Sequence, residues 1–205
     1  MKIAVVGGTG DFGLALARQL AGAGHDVVVG SRDAERAEEK AGEVGATGAA
    51  NEDAVRGVDL VVLAVKAEAA LATAESLADA IGETPVLSVA SELRFTKGGV
   101  FPGDDARSIA ERTQDVLHAP VAAGLHSLAA ASLAHGSADG DALVCGDDLE
   151  AKELVLELAA AVVTGRALDA GPLASARALE GLTAVIVNLN KRYRGHAGVQ
   201  ITGLP

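Results

Sequence analysis

Cysteine and aromatic residues are nearly absent from this 205-residue chain, which has one cysteine (Cys145), one tyrosine (Tyr193) and no tryptophan. A single cysteine excludes an internal disulfide and a cysteine-based zinc site. Aromatic residues make up only 2% of the sequence. The hydrophobic core must therefore be built from Ala, Val and Leu.

Long apolar runs and positive net charge are also missing. No run approaches the roughly 18 residues of a membrane-spanning helix, and the formal net charge is −11. A strongly acidic chain is unsuited to general binding of nucleic acid or of an anionic membrane. The first residues enter a strand pattern without the architecture of a signal peptide. We therefore expect a cytoplasmic globular protein that uses no nucleic acid and no membrane.

Familiar catalytic signatures are absent too. A short-chain reductase needs Tyr-x-x-x-Lys, but the residue four positions after Tyr193 is Ala197. The histidines form neither a triad nor the His-Glu-x-x-His pattern of a metal site. The carboxylates in Gly146-Asp147-Asp148-Leu149-Glu150 are explained by a helix start, with Asp147 as the N-cap. We predict no catalytic acid, base or metal ligand.

The patterns that are present predict an α/β fold. Helices at 12–23, 34–43 and 68–81 alternate with strands at 2–6, 26–29, 60–65 and 85–89. This alternation is typical of a parallel sheet with helices on both faces. We expect a Rossmann-type, doubly wound, mainly parallel sheet in residues 1–146 and a smaller, mostly helical lobe in residues 147–205.

Patterns in the second half of the chain are weaker. Residues 91–105 are predicted to form a loop, with Asp104 or Asp105 capping the helix that follows. The remaining predictions are helices at 106–117, 147–163 and 174–190, strands at 121–124 and 143–145, and an edge strand at 198–202.

The stretch GGTGDFG lies between the first strand and the first helix. Gly8, Gly10 and Gly13 form the G-x-G-x-x-G motif, and Gly7, Gly10 and Gly13 form G-x-x-G-x-x-G, which occurs in short-chain reductases and in non-catalytic sensors. Glycines at such a turn let the backbone approach a pyrophosphate, and the helix N-terminus favours the anion. Since the short-chain acid pair is missing, we favour the first spacing and predict a dinucleotide site.

The end of the second strand identifies the dinucleotide. NAD-binding chains place Asp or Glu about 20 residues after the glycines, whereas this chain has Gly30-Ser31-Arg32. Arg32 offers a forked cation and Ser31 a hydroxyl to a 2′-phosphate. Arg36 follows one helical turn later. The sequence therefore favours NADP(H) over NAD(H).

A reductase without an acid or base suits direct hydride transfer between two bound cofactors, where the protein supplies alignment. Such a site needs small side chains against which two flat rings can stack. The stretch LHSLAAASLA at 125–134 offers such a surface. Its other interpretation is a small-residue helix packed against the sheet.

Nearly the whole chain resembles the NADPH-dependent reductases of the deazaflavin coenzyme F420. The resemblance rests on GGTGDFG, VVVGSRDAERAEEK, LHSLAAASL, VCGDD, LDAGPLASAR and LEGLTAVIVNLN. It implies a homodimer in which hydride moves reversibly between C4 of the nicotinamide and C5 of the deazaflavin, in a cleft between the lobes.

The resemblance also implies roles for particular residues, and Gly8 and Gly13 complete the cofactor-binding set. It assigns the pyrophosphate to Thr9, Gly10, Asp11 and Phe12, the 2′-phosphate to Ser31, Arg32 and Arg36, the nicotinamide side to Val65 and Lys66, and the floor where the rings meet to His126, Leu128 and Ala130.

Three questions stay open at this point. The first concerns the detailed shape of the deazaflavin pocket, because the chain departs from the family after residue 89 and after His126, where the family often has prolines. The anionic tail of the deazaflavin has two candidate partners, the cluster Lys191, Arg192 and Arg194 or the pair Arg94 and Lys97, and the cluster is equally explained as a solvated helix end. The competing functions are an NADPH-dependent imine or ketone reductase with His126 as proton donor, and a non-catalytic NADP-binding redox sensor.

Overall fold

A computed structural model describes residues 1–204 and contains an eight-stranded sheet in the order β10-β9-β8-β5-β4-β1-β2-β3. All neighbouring strands are parallel except β8 and β9, which are antiparallel. The strands are β1 (Lys2–Val6), β2 (Asp26–Ser31), β3 (Thr47–Ala50), β4 (Leu60–Leu63), β5 (Val86–Ser88), β8 (Val121–Gly124), β9 (Ala142–Gly146) and β10 (Ala167–Asp169), and β6 (Leu93–Thr96) and β7 (Gly99–Pro102) form a separate antiparallel hairpin.

Eight helices accompany the strands in residues 1–204. They are α1 (Asp11–Gly22), α2 (Ala34–Gly42), α3 (Asn51–Ala54), α4 (Ala67–Ile81), α5 (Ile109–Val116), α6 (Ala130–His135), α7 (Leu149–Val162) and α8 (Ala176–Tyr193), with a 3-10 turn at Leu173–Ser175 before the last. The central strands β1 and β4 are Val- and Leu-rich and nearly completely buried, as expected for strands covered on both faces.

Two hydrophobic clusters form the core, one on each face of the sheet. Leu16 and Leu20 of α1 pack with Leu158 of α7 against one face. Leu77 of α4 and Leu179 of α8 lie in the cluster on the other face. Many of the remaining core positions are alanine. Small side chains therefore compensate for the shortage of aromatic residues by letting helices lie close to the strands.

The order of the strands creates a crevice at one edge of the sheet. Strand β1 pairs with β2 on one side and with β4 on the other. The chain therefore reverses its direction of progress across the sheet after β3. The loops at the carboxyl ends of β1 and β4 diverge at this point, which is where open α/β sheets bind ligands.

The fold class expected from the sequence is confirmed, including the mainly parallel sheet and the C-terminal helices. The structure adds β3 and β10, which the sequence patterns did not indicate. The domain boundary at residue 146 remains a prediction. Strand β10 lies beyond this residue and pairs with β9, so the sheet continues past the proposed boundary.

The loop predicted at 91–105 is wrong, since most of it is the β6–β7 hairpin. Its turn, Lys97-Gly98, is short enough for two strands to pair directly. Helix α5 begins at Ile109 rather than at 106. Its cap is Ser108, whose hydroxyl and backbone form a capping box with Glu111, so neither Asp104 nor Asp105 has that role.

Two further local predictions need correction. Asp148, not Asp147, caps α7 by accepting a hydrogen bond from the backbone N–H of Ala151. The C-terminal segment 198–202 is not a strand. Its backbone instead bonds around one residue, Asp141, whose side chain accepts from Ile201 N at 2.8 Å and whose N–H donates to Val199 O at 2.6 Å.

Candidate functional site

The turn after β1 is built by glycines that have no room for a side chain. Gly7 has a positive φ of 77°, and a Cβ atom there would lie 2.7 Å from the carbonyl oxygen of Ala64, at the end of β4. A Cβ on Gly13 would lie 2.7 Å from the carbonyl oxygen of Gly7. A Cβ on Gly8 would meet Val5 O at 2.7 Å. Packing within the chain therefore requires Gly7, Gly8 and Gly13.

Gly10 is different, because a Cβ atom there would lie 3.4 Å from its nearest neighbour, Gly7 O. It is exposed and forms the N-cap of α1. The first N–H groups of a helix have no partner within the helix. Thr9, Gly10 and Asp11 surround this end, so the backbone presents its donors and partial positive charge to the crevice.

The end of β2 presents a hydroxyl and two cations. Ser31 is buried, and its Oγ accepts a hydrogen bond from the N–H of Asp33 at 3.3 Å. Arg32 and Arg36 are exposed, and neither guanidinium is paired with a carboxylate within residues 1–204. Asp33 uses its side chain to cap α2 at Arg36 N. The cations therefore remain available to an anionic ligand.

A cleft of about 700 Å³ opens beside the glycine turn, on the β4 side. It is bounded by the ends of β4 and β5, by the start of the hairpin and by the turn after β8. Its lining residues are Phe12, Ala64, Val65, Lys66, Ala67, Glu68, Val89, Ala90, Ser91, Glu92, Leu93, Phe95, Leu125, His126, Leu128 and Thr183.

The structure brings several of the sequence-predicted site residues into this one cleft. Five of them, from three separate segments, line it: Phe12 of α1, Val65 and Lys66 after β4, and His126 and Leu128 after β8. Ser31, Arg32 and Arg36 lie at the end of β2, on the other side of the glycine turn. Ala130 begins α6 and does not line the cleft within the described part of the chain.

His126 lies in a tight turn directly after β8. The preceding residue, Leu125, is buried with a positive φ of 65°, a conformation that costs energy for a side chain other than glycine and that clusters at functional sites. The ring Nε2 lies 3.3 Å from the carbonyl oxygen of Ala90. Because a carbonyl can only accept, Nε2 carries the proton and Nδ1 has a free lone pair.

Burial keeps the imidazole neutral. His126 is 5% exposed, and desolvation lowers its pKa to about 4, against a smaller opposing effect of the Ala90 hydrogen bond. Its Nδ1 is buried without a hydrogen-bond partner in residues 1–204. A neutral ring whose one N–H is held by a backbone carbonyl is a poor proton donor.

The sequence patterns did not identify the residues that hold His126 in place. Thr183 of α8 donates a hydrogen bond from its hydroxyl to His126 O at 2.9 Å, and it lies 2.9 Å from the hydroxyl of Ser91. Both hydroxyl residues line the cleft. Thr183 is an isolated polar residue in an apolar helical stretch, and no spacing rule distinguishes it from a helix residue without a role.

Glu180, one turn before Thr183, is a second buried polar residue that no motif predicts. Its Oε1 accepts a hydrogen bond from the backbone N–H of Ile109 at 2.6 Å, at the start of α5. Burial raises the pKa of this carboxyl to about 7 despite that hydrogen bond. Glu180 therefore joins α8 to α5 on the side of the molecule that carries the cleft.

Residues 1–204 offer few other candidate metal-binding or reactive side chains. No group of three or more His, Cys, Asp or Glu residues among positions 1–204 could hold a metal ion. Cys145 is buried in β9, and desolvation raises the pKa of its thiol to about 12. Over the same residues, no helix is both long and apolar enough to span a membrane. The arrangement can bind an anion at the glycine turn and hold flat, largely apolar groups next to it.

Comparison with known proteins gives one consistent family. Residues 2–92 match the family model described as NADP oxidoreductase, coenzyme F420-dependent. The chain is similar to the F420-dependent NADP reductase of Methanothermobacter thermautotrophicus, with 37% identity over 100% of this chain and 96% of the relative. It is 35% identical to the enzyme of the same name from Methanocaldococcus jannaschii, over 100% of this chain and 99% of the relative.

Solved structures agree with this similarity. A structure described provisionally as an F420-dependent NADP reductase, from Arthrobacter sp. FB24, matches over 100% of both chains with a TM-score of 0.83 and 26% identity. An imine reductase of Streptomyces aurantiacus matches with a TM-score of 0.64 and 20% identity, over 95% of this chain and 62% of its own. The second likeness concerns the fold alone.

The protonation state of His126 can be tested directly. Because burial lowers its pKa to about 4, we expect the imidazole signals of His126 to stay constant between pH 8 and pH 5 in a histidine-edited NMR titration. The His126→Gln variant assigns the signals. An inflection between pH 6 and 7 for this residue would contradict the neutral ring and make it a candidate acid.

Proposed function

The chain belongs to the family of F420-dependent NADP reductases, and on this premise we propose how its site works. It is an oxidoreductase with NADP(H) and coenzyme F420 as substrates. The dinucleotide lies across the glycine turn, and the deazaflavin enters the adjoining cleft. The observation that carries this proposal is the position of the cleft, which adjoins the glycine turn and contains a neutral histidine that is a poor proton donor.

The residues fit the dinucleotide at both of its phosphate positions. Gly7 and Gly13 close the turn so that the N-terminus of α1 faces the crevice, and Gly10 leaves the backbone open to a pyrophosphate. Ser31, Arg32 and Arg36 surround the position that a 2′-phosphate would take beyond the end of β2. Free guanidinium groups recognise a phosphate by paired hydrogen bonds.

Val65 and Lys66, which follow β4, place the nicotinamide next to the cleft. When both substrates are bound, hydride passes reversibly between C4 of the nicotinamide and C5 of the deazaflavin. The chain contributes alignment and exclusion of water, because Phe12 and Leu128 supply apolar surface to the cleft. Holding the two reacting carbons in alignment lowers the barrier to hydride transfer. The negative charge that hydride brings to the deazaflavin is delocalised over its N1–C2=O group, and N1 takes the balancing proton from water.

A reductase of imines or ketones is the strongest competing enzyme. Hydride addition to an imine or ketone gives a localised, strongly basic nitrogen or oxygen anion, so this reaction needs a proton donor in the cleft. His126 is a poor donor because its N–H is committed to Ala90 O and its pKa is lowered. Three other residues of the lining, Lys66, Glu68 and Glu92, have side chains that can carry a proton. An activity assay with an imine therefore tests this alternative.

We also infer that the protein is a cytoplasmic homodimer. One face of α8 carries Val185, Leu189 and Tyr193, which recur every four residues and are 53%, 41% and 74% exposed. An apolar stripe at this spacing is typical of a helix that packs against another element. A second copy of the same helix is the occupant we assign to it.

Purified protein mixed with NADPH and oxidised coenzyme F420 should bleach the deazaflavin absorbance, while NADPH and a cyclic imine should give no comparable rate. Turnover of the imine without the deazaflavin would favour the competing enzyme. Binding of NADPH without turnover of either substrate would favour a non-catalytic sensor. A deazaflavin-only control without NADPH excludes bleaching by light.

Replacing Arg32 with Ala should weaken NADPH selectively. Loss of a charge-assisted contact with a phosphate costs about 1.5–3 kcal/mol, or roughly 10- to 100-fold in KM. The KM for NADH, which has no 2′-phosphate, should change little. Arg18→Ala, at an exposed position of α1, is the matched control. Equal losses for NADPH and NADH would show that Arg32 does not read the 2′-phosphate.

Introducing a charge into the α8 stripe should separate the subunits. We expect sedimentation equilibrium to give a dimer for the unmodified protein and a monomer for Leu189→Glu. Ala160→Glu, at an exposed position of α7, changes the net charge equally and serves as the control. A monomeric unmodified protein, or a dimer that survives Leu189→Glu, would contradict this interface.

A further inference from the structure

The β6–β7 hairpin is the part of the cleft that the proposed function does not explain. It is fixed to α8 by Asn188, whose side chain accepts from Val100 N at 2.9 Å and donates to Val100 O at 2.7 Å. This pair of bonds replaces the neighbouring strand that β7 lacks. The hairpin is therefore held at a defined position against the C-terminal helix.

Strand alternation separates the side chains of β6 into two groups. Leu93 and Phe95 line the cleft. Arg94, between them, points to the other side, where its guanidinium lies 5.6 Å from the ring centre of Phe101 and 3.3 Å from Asp104. Arg94 is thus already paired, and it faces away from the ligand. Of the two basic candidates in the sequence, the hairpin pair is the weaker one.

Lys191 of α8 contacts Phe95, a residue of the cleft lining. Its Nζ lies 5.2 Å from the centre of the Phe95 ring, within the range of a cation–π interaction. Phe95 is 64% exposed although it lines the cleft, so the pair stands at the mouth. Lys191 is paired with no carboxylate within residues 1–204. The ring orders the ammonium group and leaves its charge uncompensated.

Helix geometry connects this cation to the cleft wall. Thr183 lines the cleft. Val187 and Lys191 follow it at intervals of four residues, on the same side of α8. Eight residues correspond to about 12 Å along the helix axis. Arg192 is nine residues from Thr183 and lies on the opposite side of the helix. Only one of the two adjacent cations is therefore directed at the cleft.

The acidic residues of the lining limit where an anion can go. Glu68 and Glu92 both face the cleft, and Glu92 is paired with Arg112 at 3.0 Å. The chain as a whole carries a net charge of −11. A negatively charged ligand segment is therefore repelled by most of the surface, and the Phe95–Lys191 mouth is a place where it meets an unpaired cation.

We propose that Phe95 and Lys191 bind the anionic, non-reacting end of the deazaflavin substrate. The proposal rests on the proposed function. Phe95 packs against the ribityl chain that leaves the ring, and the Lys191 ammonium pairs with the anionic groups beyond it. Those groups are a phosphodiester and the glutamate carboxylates, which share the same recognition chemistry.

The test compares Lys191→Glu with Arg192→Glu, which change the net charge equally at positions about 100° apart around α8. Fluorescence titration without NADPH gives Kd for three ligands: the complete coenzyme, a form that ends at the phosphodiester, and the ring with its ribityl chain alone. We expect Lys191→Glu to raise Kd of the complete coenzyme at least about tenfold and to leave the ribityl compound unchanged. Arg192→Glu should change neither more than about twofold.

The intermediate ligand identifies the anion. A tenfold loss that is already present with the phosphodiester form assigns Lys191 to the phosphate, and a loss that needs the glutamates assigns it to the carboxylates. Lys191→Arg should restore binding. Added salt should weaken binding of the complete coenzyme to the unmodified protein more steeply than to Lys191→Glu.

Equal losses for the two charge reversals, or equal losses for tailed and tail-free ligands, would overturn the proposal. Thermal unfolding of each variant confirms that the fold is retained. Turnover of the complete coenzyme by the unmodified protein keeps the two questions apart. If the unmodified protein reduces no deazaflavin at all, the proposed function has failed, whereas normal turnover with unchanged Kd values removes only the tail site.

Discussion

Close contact between the first turn and the end of β4 is the constraint on which the rest of the structure depends. Gly7 lies so near Ala64 O and Val65 that a Cβ atom would collide with both, and Gly13 lies equally near Gly7. This contact sets the start of α1 against the sheet, at the point where the strand order reverses. The anion-binding helix end and the cleft lined by Val65 are therefore neighbours because the backbone leaves no other arrangement.

The composition of the chain serves the same geometry. Alanine-rich helices approach the sheet closely, and the cleft is lined mostly by short or apolar side chains, with a neutral histidine and three charged residues, Lys66, Glu68 and Glu92. Such a lining supplies little chemistry of its own, which agrees with a reaction in which the reactive atoms belong to the two substrates. The protein's contribution is then the relative position of two binding surfaces, one electrostatic and one apolar.

The first half of the fold was predictable because its patterns are local and repeated. Strand β1 matches the predicted residues 2–6, and β2, α2 and α4 lie within a few residues of prediction. The hairpin was not predictable, since Leu93–Thr96 and Gly99–Pro102 are short and half exposed, and β7 is completed by Asn188 from 88 residues away. The same holds for Thr183 and Ser91, whose contact across 92 residues depends on tertiary packing. The segment 198–202 resembles a strand in composition, but its hydrogen bonds converge on Asp141.

Direct transfer between the two substrates is the central claim, and an isotope experiment tests it most closely. NADPH carrying deuterium at both C4 positions is mixed with oxidised coenzyme F420 and the enzyme in ordinary water, and the reduced deazaflavin is analysed by mass spectrometry and NMR. Direct transfer predicts one deuterium at C5 of each product molecule and none in the solvent. Product that carries solvent hydrogen at C5, or deuterium released into water, would contradict it.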